Sequence, residues 1–173
     1  MPPPPPTDRL TFHEMELLDL DDMAELFADP LVMRHYDHPF SRDESRAWVE
    51  WGQRLYREHG HGLWLLRLRM SGELVGDCGL TPQEVDGETS IEVGYHVRST
   101  LQGNGYATGA AEACRTYAAS ELGLRRLIAI IEPANAASQR VAEKIGLPLE
   151  RATRDRHDNE VLVFSGDPSA SNT

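Results

Sequence analysis

Alternation of apolar and polar residues predicts a group of strands in the middle of the chain. Between residues 63 and 97, apolar side chains recur at every second position, as they do in half-buried strands. Ser71-Gly72 and Asp86-Gly87 mark the turns that separate three such runs. With the shorter apolar runs elsewhere, we predict strands at residues 9–12, 63–70, 73–80, 89–97, 126–131, 149–153 and 161–165.

The third of these runs is interrupted by a glycine. Glu92, Gly94 and His96 share one face of the predicted strand, and apolar residues occupy the other. Glycine inside a strand is typical of a bulge or of a close backbone approach. We therefore expect the sheet to be irregular at Gly94.

Helical spacing appears on both sides of the strands. Ser41-Arg42-Asp43-Glu44 is a capping box, and Trp48, Trp51 and Leu55 then fall on one face of a helix. Further helices are predicted near residues 21–29, from the 102–108 segment toward Gly123, and at 135–145. Helices, antiparallel hairpins and one strand–helix–strand–helix passage together indicate a mixed α/β (α+β) fold.

Composition indicates one soluble, folded domain. The 173 residues are 40% hydrophobic with a mean hydropathy of -0.46, and no apolar run approaches the roughly 20 residues of a membrane span. The amino terminus lacks the basic start and apolar core of a signal peptide, so we expect a cytoplasmic protein whose Cys78 and Cys114 are reduced and buried. We predict a disordered proline-rich tail at residues 1–7, one domain at 8–165 and a disordered tail at 166–173.

A net charge of -11 narrows the classes of partner. Nucleic acid requires a basic face, so we expect no nucleic-acid partner, and the composition gives no reason to expect a membrane partner. The acidic balance suits an amine, although an acidic surface also serves solubility alone. The histidine pairs His35/His38 and His59/His61 match no zinc spacing, so we expect no metal site.

Residues 102–108 have the features of a phosphate-binding loop. They follow a predicted strand and open a helix, and Gly103 and Gly105 let the backbone present N–H groups to an anion without obstruction by Cβ. The helix start adds unpaired N–H groups and a partial positive charge. We therefore predict that this loop binds a pyrophosphate.

Two common phosphate loops fit this segment poorly. A Walker loop needs Gly-Lys-Ser/Thr, and no lysine is near. A dinucleotide-binding loop needs a third glycine where Thr108 stands, although Glu132 lies where a ribose-binding acid would be expected. The antiparallel hairpins upstream count against that fold, but an NAD-binding oxidoreductase stays an alternative.

A third interpretation rests on three motifs. Gln102, Gly105 and Ala107 satisfy the pattern Gln/Arg-x-x-Gly-x-Gly/Ala. Asn135-Ala136-Ala137-Ser138 is followed by Glu143-Lys144 and Gly146, and Ile91-Glu92-Val93-Gly94-Tyr95 precedes the loop. With these motifs in this order, residues 8–165 resemble the GNAT family of acetyl-CoA-dependent N-acetyltransferases, in particular the branch that includes ribosomal-protein N-terminal acetyltransferases.

The resemblance implies a fold and a set of cofactor contacts. The fold is a mixed, mostly antiparallel central sheet flanked by helices, whose fourth and fifth strands splay apart around acetyl-CoA. The backbone of His96 and Val97 would contact the pantetheine, the Val97 amide would also meet the developing oxyanion, and Asn135 would contact the cofactor arm. The pyrophosphate would lie on the loop formed by Gln102, Gly103, Asn104, Gly105, Tyr106, Ala107 and Thr108.

Glu92 and Ser138 are the candidate catalytic residues. Glu92 could serve as the general base, or it could be a structural carboxylate that holds neighbouring backbone. In this branch a serine at position 138 would protonate the leaving thiolate, but Ser138 and Asn135 could equally be capping residues of a helix. Ala142 stands where many GNAT enzymes carry a tyrosine. Neither cysteine has an activating neighbour, so we expect direct transfer without an acetyl-enzyme.

The implied activity is transfer of an acetyl group from acetyl-CoA to a primary amine of a protein N-terminus or of a small cationic molecule. A non-catalytic acyl-CoA sensor is the alternative, and a homodimer stays open. Residues 14–29 contain seven acidic residues and no Lys or Arg. The resemblance puts the first two helices beside the acceptor entrance, so we expect this acidic run to attract a cationic acceptor. The simpler alternative is that its acids complement a helix dipole.

Overall fold

A seven-stranded sheet forms the centre of the protein in a computed structural model, which describes residues 1–170. Its strands are β1 (Leu10–Glu14), β2 (Leu63–Leu68), β3 (Leu74–Val85), β4 (Glu88–Val97), β5 (Leu127–Ile131), β6 (Leu149–Arg154) and β7 (Glu160–Gly166). They lie in the order β1-β2-β3-β4-β5-β7-β6. Every neighbouring pair is antiparallel except β4 and β5, which excludes the parallel, doubly wound sheet of a dinucleotide-binding oxidoreductase.

Four α-helices cover the two faces of the sheet within residues 1–170. They are α1 (Leu20–Ala28), α2 (Arg42–His59), α3 (Tyr106–Ser120) and α4 (Ala136–Lys144), and two short 3₁₀ turns, Leu17–Asp19 and Ser99–Leu101, complete the list. Side chains of β2 point alternately to the two faces of the sheet and contribute to the core on each face. Trp64 and Leu66 pack with α3, while Leu63 and Leu65 pack with α1 and α2. The sheet is therefore buried on both sides, and the predicted mixed α/β (α+β) class is confirmed.

The parallel pair β4–β5 is joined by only one register pair, Glu92 with Ile128. Beyond that point the two strands diverge, as the resemblance implied for the fourth and fifth strands. Neither alternative expected for Gly94 occurs: β3 and β4 stay in register from Gly76–Val97 to Val85–Glu88, so there is no bulge between them, and a Cβ on Gly94 would meet nothing within 4 Å. The irregularity lies on the β5 side of β4, where pairing stops.

Close backbone approach occurs at two glycines of β3. A Cβ on Gly79 would lie 2.0 Å from the carbonyl oxygen of Gly62, and one on Gly76 would lie 1.9 Å from that of His96. Gly76 also has φ +155°, which side chains rarely adopt. These positions require glycine, and Gly76 sets how near β3 comes to the end of β4.

The element boundaries differ from the predictions mainly at turns. β2 ends at Leu68, so Met70 is not in the strand but in the turn, where it is 96% exposed. Residues before β1 lie against α3, since Pro4 is buried and the Tyr117 hydroxyl donates to the Pro2 carbonyl at 3.0 Å. The tails at 1–7 and 166–173 stay predictions, and residues 171–173 lie outside the described part of the chain.

Candidate functional site

A cavity of about 1080 Å³ opens where β4 and β5 diverge. One end, called here the loop end, is lined by residues of the 102–108 segment and of α4. The other, the aromatic end, is lined by Tyr36, Phe40, Trp48 and Trp51 together with Glu92 and His96. Of the predicted site residues, all but Asn104 line this cavity: Glu92, His96, Val97, Gln102, Gly103, Gly105, Tyr106, Ala107, Thr108, Asn135 and Ser138.

The loop end is built mainly from backbone. Gly103 and Gly105 have φ values of +79° and +78°, a left-handed conformation that glycine adopts without strain. Gly105 is the N-cap of α3, so the first N–H groups of that helix have no intrahelical partner and point out of its end. The side chain of Gln102 donates to the Val97 carbonyl at 3.0 Å and ties the loop to β4. This arrangement is suited to an anion.

Two arginines that the sequence analysis missed flank this loop. Arg9 donates from Nη1 to the Asn104 carbonyl at 2.8 Å and lies 4.7 Å above the ring of Tyr106. Arg34 donates from Nη2 to Oε1 of Gln102 at 3.3 Å and lines the cavity. Both come from distant segments with no motif of their own, so only the fold reveals them. The cavity is lined by further cations at Arg140, Lys144 and Arg156.

Asn104 supports the loop from within. Its amide nitrogen donates to the carbonyls of Leu101 and Gln102, at 3.0 and 3.2 Å. Its own carbonyl accepts from Arg9. The residue therefore holds the loop's shape from a position outside the cavity lining.

The open edge of β4 faces the cavity. The N–H of Arg98 donates to the Val75 carbonyl of β3 at 2.8 Å. Since successive residues of a strand alternate their hydrogen-bonding direction, the N–H of Val97 points the opposite way, toward the gap between β4 and β5. That direction is the one which the predicted oxyanion contact of Val97 requires.

The start of α4 forms another part of the cavity wall. Oδ1 of Asn135 accepts from the Ser138 N–H at 3.1 Å, so Asn135 is a helix cap that also lines the cavity. The Tyr95 hydroxyl donates to the Ser138 carbonyl at 3.1 Å and bridges β4 to α4. Ala142 is buried, so the position of the usual tyrosine contributes no reactive group.

Glu92 lies at the point where β4 and β5 separate. Its Oε1 accepts from the Ile130 N–H at 3.1 Å, a bond that backbone would make if the two strands stayed paired. Burial raises the pKa of Glu92 to about 7, against the smaller lowering effects of the Ile130 hydrogen bond and of His96. The residue therefore has the structural contact that was one of its two predicted roles, and it also titrates near neutrality.

A hydrogen-bonded chain of side chains runs through the aromatic end. Asp77 is fully buried, and its carboxyl group contacts Nδ1 of His96 at 2.7 Å, the His96 N–H at 3.1 Å and Nε1 of Trp48 at 3.0 Å. Nε2 of His96 lies 2.8 Å from the Tyr36 hydroxyl. From the sequence, only backbone contacts were expected of His96, and no role was expected of Asp77. An ionisable residue in an otherwise apolar strand was the one signal available.

The two tryptophans of α2 belong both to the core and to the cavity wall. Trp48 packs edge-on against Phe27 at 5.3 Å and against Trp51 at 5.1 Å, and both tryptophans contact the core beneath α1 and α2. The same rings line the cavity. They are core residues whose outer edges form the aromatic end.

Three of the four histidines in the two sequence pairs contact a carboxylate or a carbonyl. His35 contacts Glu132 at 2.6 Å and His38 contacts Glu44 at 2.8 Å. His61 is buried against the Leu80 carbonyl, and burial lowers its pKa. Within residues 1–170 no group of three or more His, Cys, Asp or Glu side chains is arranged to hold a metal ion. No helix in that range is long and apolar enough to cross a membrane.

The acidic run of residues 14–29 lies outside the lining of the cavity, and its steering role stays a prediction. Among the described residues, none of its seven acids lines the cavity. Most face arginines on neighbouring elements, which neutralise them locally. The pairs are Asp19 and Asp22 with Arg67, Asp21 with Arg42, and Glu25 with Arg98.

Both cysteines are buried and unpaired, as predicted. Their Sγ atoms lie 3.6 Å apart between β3 and α3. Burial raises the pKa of the Cys78 thiol, which is the opposite of what an activated nucleophile needs.

Comparisons with known proteins agree with this architecture. A family model described as an acetyltransferase (GNAT) domain matches residues 9–148. The chain is 39% identical over 149 residues to the Bacillus subtilis (strain 168) protein YkkB, covering 86% of this chain and 87% of that one. The crystal structure of an acetyltransferase from Agrobacterium tumefaciens str. C58 superposes with a TM-score of 0.82 at 28% identity, covering 95% and 94% of the two chains.

A solved structure of RimL, a ribosomal L7/L12 alpha-N-protein acetyltransferase in complex with coenzyme A, has the same fold. Its TM-score is 0.77 at 19% identity, covering 95% of this chain and 97% of that one. At that identity the likeness concerns the fold alone. The family model and the YkkB relationship carry the assignment: this chain belongs to the GNAT family of N-acetyltransferases.

Proposed function

We propose that the protein binds acetyl-CoA in the cavity between β4 and β5 and transfers the acetyl group directly to a primary amine of a protein N-terminus or a small cationic molecule. The observation that carries this proposal is that the two ends of the cavity differ in chemical character. An anion-binding loop with flanking cations forms one end, and aromatic rings with titratable groups form the other. The open edge of β4 connects them.

The residues of the loop end fit the phosphates of coenzyme A. The N–H groups at the start of α3 and the guanidinium of Arg34 provide donors and positive charge at the loop. Arg140 and Lys144 add positive charge along α4, in a protein whose net charge is -11. Local cations against an overall acidic balance indicate selection for an anionic ligand at this place.

The reaction requires three groups around the thioester carbonyl. As the amine nitrogen bonds to that carbon and the carbon–sulfur bond breaks, the Val97 N–H would stabilise the oxyanion and Ser138 would protonate the departing thiolate. An ammonium acceptor must also lose a proton before it can attack. Glu92 and His96 are the two groups on the exposed face of β4 that could receive it.

The aromatic end favours a positively charged acceptor. Glu44 and Glu132 add negative charge to the cavity wall, which also carries the aromatic side chains of Tyr36 and Phe40. We place the protein in the cytoplasm on the basis of its two unpaired, buried cysteines.

Thr108→Asp tests the loop end without endangering the fold. Residue 108 lies in the first turn of α3, where a carboxylate favours the helix but repels phosphate. We expect calorimetry to show at least a tenfold weaker affinity for acetyl-CoA, about 1.4 kcal/mol. Thr116→Asp makes the same change on an exposed site of the same helix outside this cavity and serves as control. Equal affinities of the two variants would contradict binding at the loop.

Release of free thiol from acetyl-CoA tests the transfer itself. The probes are spermidine and a peptide with a free N-terminal serine, and mass spectrometry would identify the acetylated nitrogen. Binding of acetyl-CoA without acetylation of either amine would favour the acyl-CoA sensor. Stoichiometric acetylation of Cys78 or Cys114 that passes to an amine would overturn direct transfer.

A further inference from the structure

The side chains of Tyr36, His96 and Asp77 form a continuous line from the cavity into the sheet. Tyr36 is 41% exposed and lines the cavity, the His96 side chain is 9% exposed, and Asp77 is inaccessible to solvent. The distances along the line are 2.8 Å from Tyr36 to His96 and 2.7 Å from His96 to Asp77. Only the outer member is placed to meet an incoming amine.

The hydrogen bonds determine the direction of the chain. The carboxyl group of Asp77 faces N–H donors from the His96 backbone and from Trp48, so it is an acceptor and Nδ1 of His96 must carry a proton. In neutral His96 the lone pair then lies on Nε2. Nε2 therefore accepts from the Tyr36 hydroxyl, which leaves the lone pairs of that oxygen for another donor.

The surroundings of His96 add little charge of their own. Phe27 of α1 and Trp48 of α2 pack on its ring edge-on, at centroid distances of 5.2 and 5.6 Å, and both are neutral. Asp77 comes from β3, Tyr36 from the segment between α1 and α2, and Glu92 from the same face of β4. Of these, only Asp77 contacts a ring nitrogen other than Nε2, at 2.7 Å from Nδ1.

Glu92 is less free to receive the proton. Its Oε1 already accepts from the Ile130 N–H, and any movement toward an amine would leave that buried donor unpaired. Proton uptake by His96 breaks no bond, since the new Nε2–H would donate to the Tyr36 oxygen. Gly94 lies between the two residues on the same face, with open space above it.

We infer that Tyr36 and His96 deprotonate the acceptor ammonium through a relay held in place by Asp77. This inference rests on the proposed acetyl transfer. One ammonium proton passes to the Tyr36 oxygen while the Tyr36 proton passes to Nε2 of His96, so Tyr36 stays a neutral phenol and His96 becomes an imidazolium facing Asp77. The free amine then attacks the thioester. Its second proton leaves with the thiol, and His96 returns its proton to solvent.

Tyr36→Phe is the sharpest test, because it deletes one oxygen and keeps the ring. With the better of spermidine and the serine peptide, we expect kcat/KM at pH 7 to fall about 100-fold, a typical share for general base catalysis. The deficit should shrink as pH approaches the acceptor's own pKa, where the amine arrives deprotonated. Affinity for acetyl-CoA should not change. Tyr117→Phe, which removes a phenolic oxygen away from the cavity, is the control and should match the wild type in rate.

His96→Gln should reproduce the loss and the same recovery at high pH. A loss of equal size at every pH would indicate a structural role and overturn the relay. The relay would also be overturned if Tyr36→Phe and His96→Gln left the pH dependence of the rate intact while Glu92→Gln abolished it. That result would make Glu92 the base.

Asp77 is a positioning residue, and its test does not depend on activity. Nitrogen-15 NMR of labelled protein should show His96 protonated at Nδ1 and bare at Nε2, and Asp77→Asn should weaken that preference. The opposite tautomer in the wild type would overturn the relay alone. A wild-type protein that binds acetyl-CoA but acetylates neither probe would overturn the proposed function as well.

Discussion

The two ends of the cavity are built in different ways. The loop end is centred on the consecutive residues 102–108, with cations added from distant segments, and its key groups are backbone N–H donors made available by two left-handed glycines. The aromatic end uses side chains from three parts of the chain, held by a buried carboxylate of β3 and by the close approach of β3 to β4. A contiguous site depends on local conformation, while an assembled site depends on packing, and the two should fail under different perturbations.

Glycine replacements should show the largest difference between the ends. Gly76→Ala puts a Cβ 1.9 Å from a backbone carbonyl beside Asp77, so we expect a loss of about 3 kcal/mol or more in unfolding free energy. Gly103→Ala has a left-handed φ of +79° and nothing within 4 Å of the new Cβ, and should cost about 1 kcal/mol. Urea unfolding of both variants measures this, and similar losses would remove the distinction.

The ionisation of Glu92 should make the stability of the folded protein depend on pH. The pKa of Glu92 in the folded protein, about 7, lies above the ordinary value of 4.5. The stabilisation that the protonated side chain gives to the folded state is therefore fully present below pH 4.5 and is lost as pH rises through 7. We expect Glu92→Gln, which keeps an acceptor for Ile130, to stabilise the protein at pH 8 by up to about 3 kcal/mol and to change little at pH 4.

Urea unfolding at the two pH values measures the effect of Glu92, and Glu88→Gln on the exposed start of β4 is the control. Equal stabilities of wild type and Glu92→Gln at pH 8 would show that the carboxylate is well solvated.

Gly94→Val should separate the ends functionally. The new side chain would project into open space between Glu92 and His96, on a strand whose backbone conformation suits valine. We expect acceptor KM to rise about tenfold, or 1.4 kcal/mol, with no change in acetyl-CoA affinity. Steady-state kinetics and calorimetry on the same preparation test both halves of this statement. A parallel loss of cofactor affinity would mean that the two ends overlap at Gly94.

Charge outside the cavity should have the smallest effect. Asp19, Asp21 and Asp22 face arginines and do not line the cavity. Their joint replacement by Asn should therefore leave the salt dependence of kcat/KM within twofold of the wild type. A clearly flatter dependence would support the original expectation that this acidic run steers the acceptor.

The same contrast explains what could be predicted from the sequence. Strand alternation, the capping box at Ser41 and the glycines of the loop are local signals, and they yielded the order of elements and all of the loop. Tyr36 and Arg34 carry no local signal, and Asp77 shows only a charge in an apolar strand, because their roles arise only when β3, β4 and the segment after α1 come together. The bulge at Gly94 was wrongly predicted for a related reason: its missing side chain leaves room for a ligand and does not mark a break in register.

Separation of β4 from β5 has one more consequence, which concerns edge strands. Two strands that stop pairing inside a molecule expose two edges, and each could add an extended segment by hydrogen bonding. The Glu92 carboxylate already occupies the Ile130 N–H, so β5 offers one donor fewer, while the Val97 side of β4 stays open. An extended ligand with amide groups would therefore find more free hydrogen-bonding groups on β4 than on β5, and β4 would have the larger part in setting its direction and register.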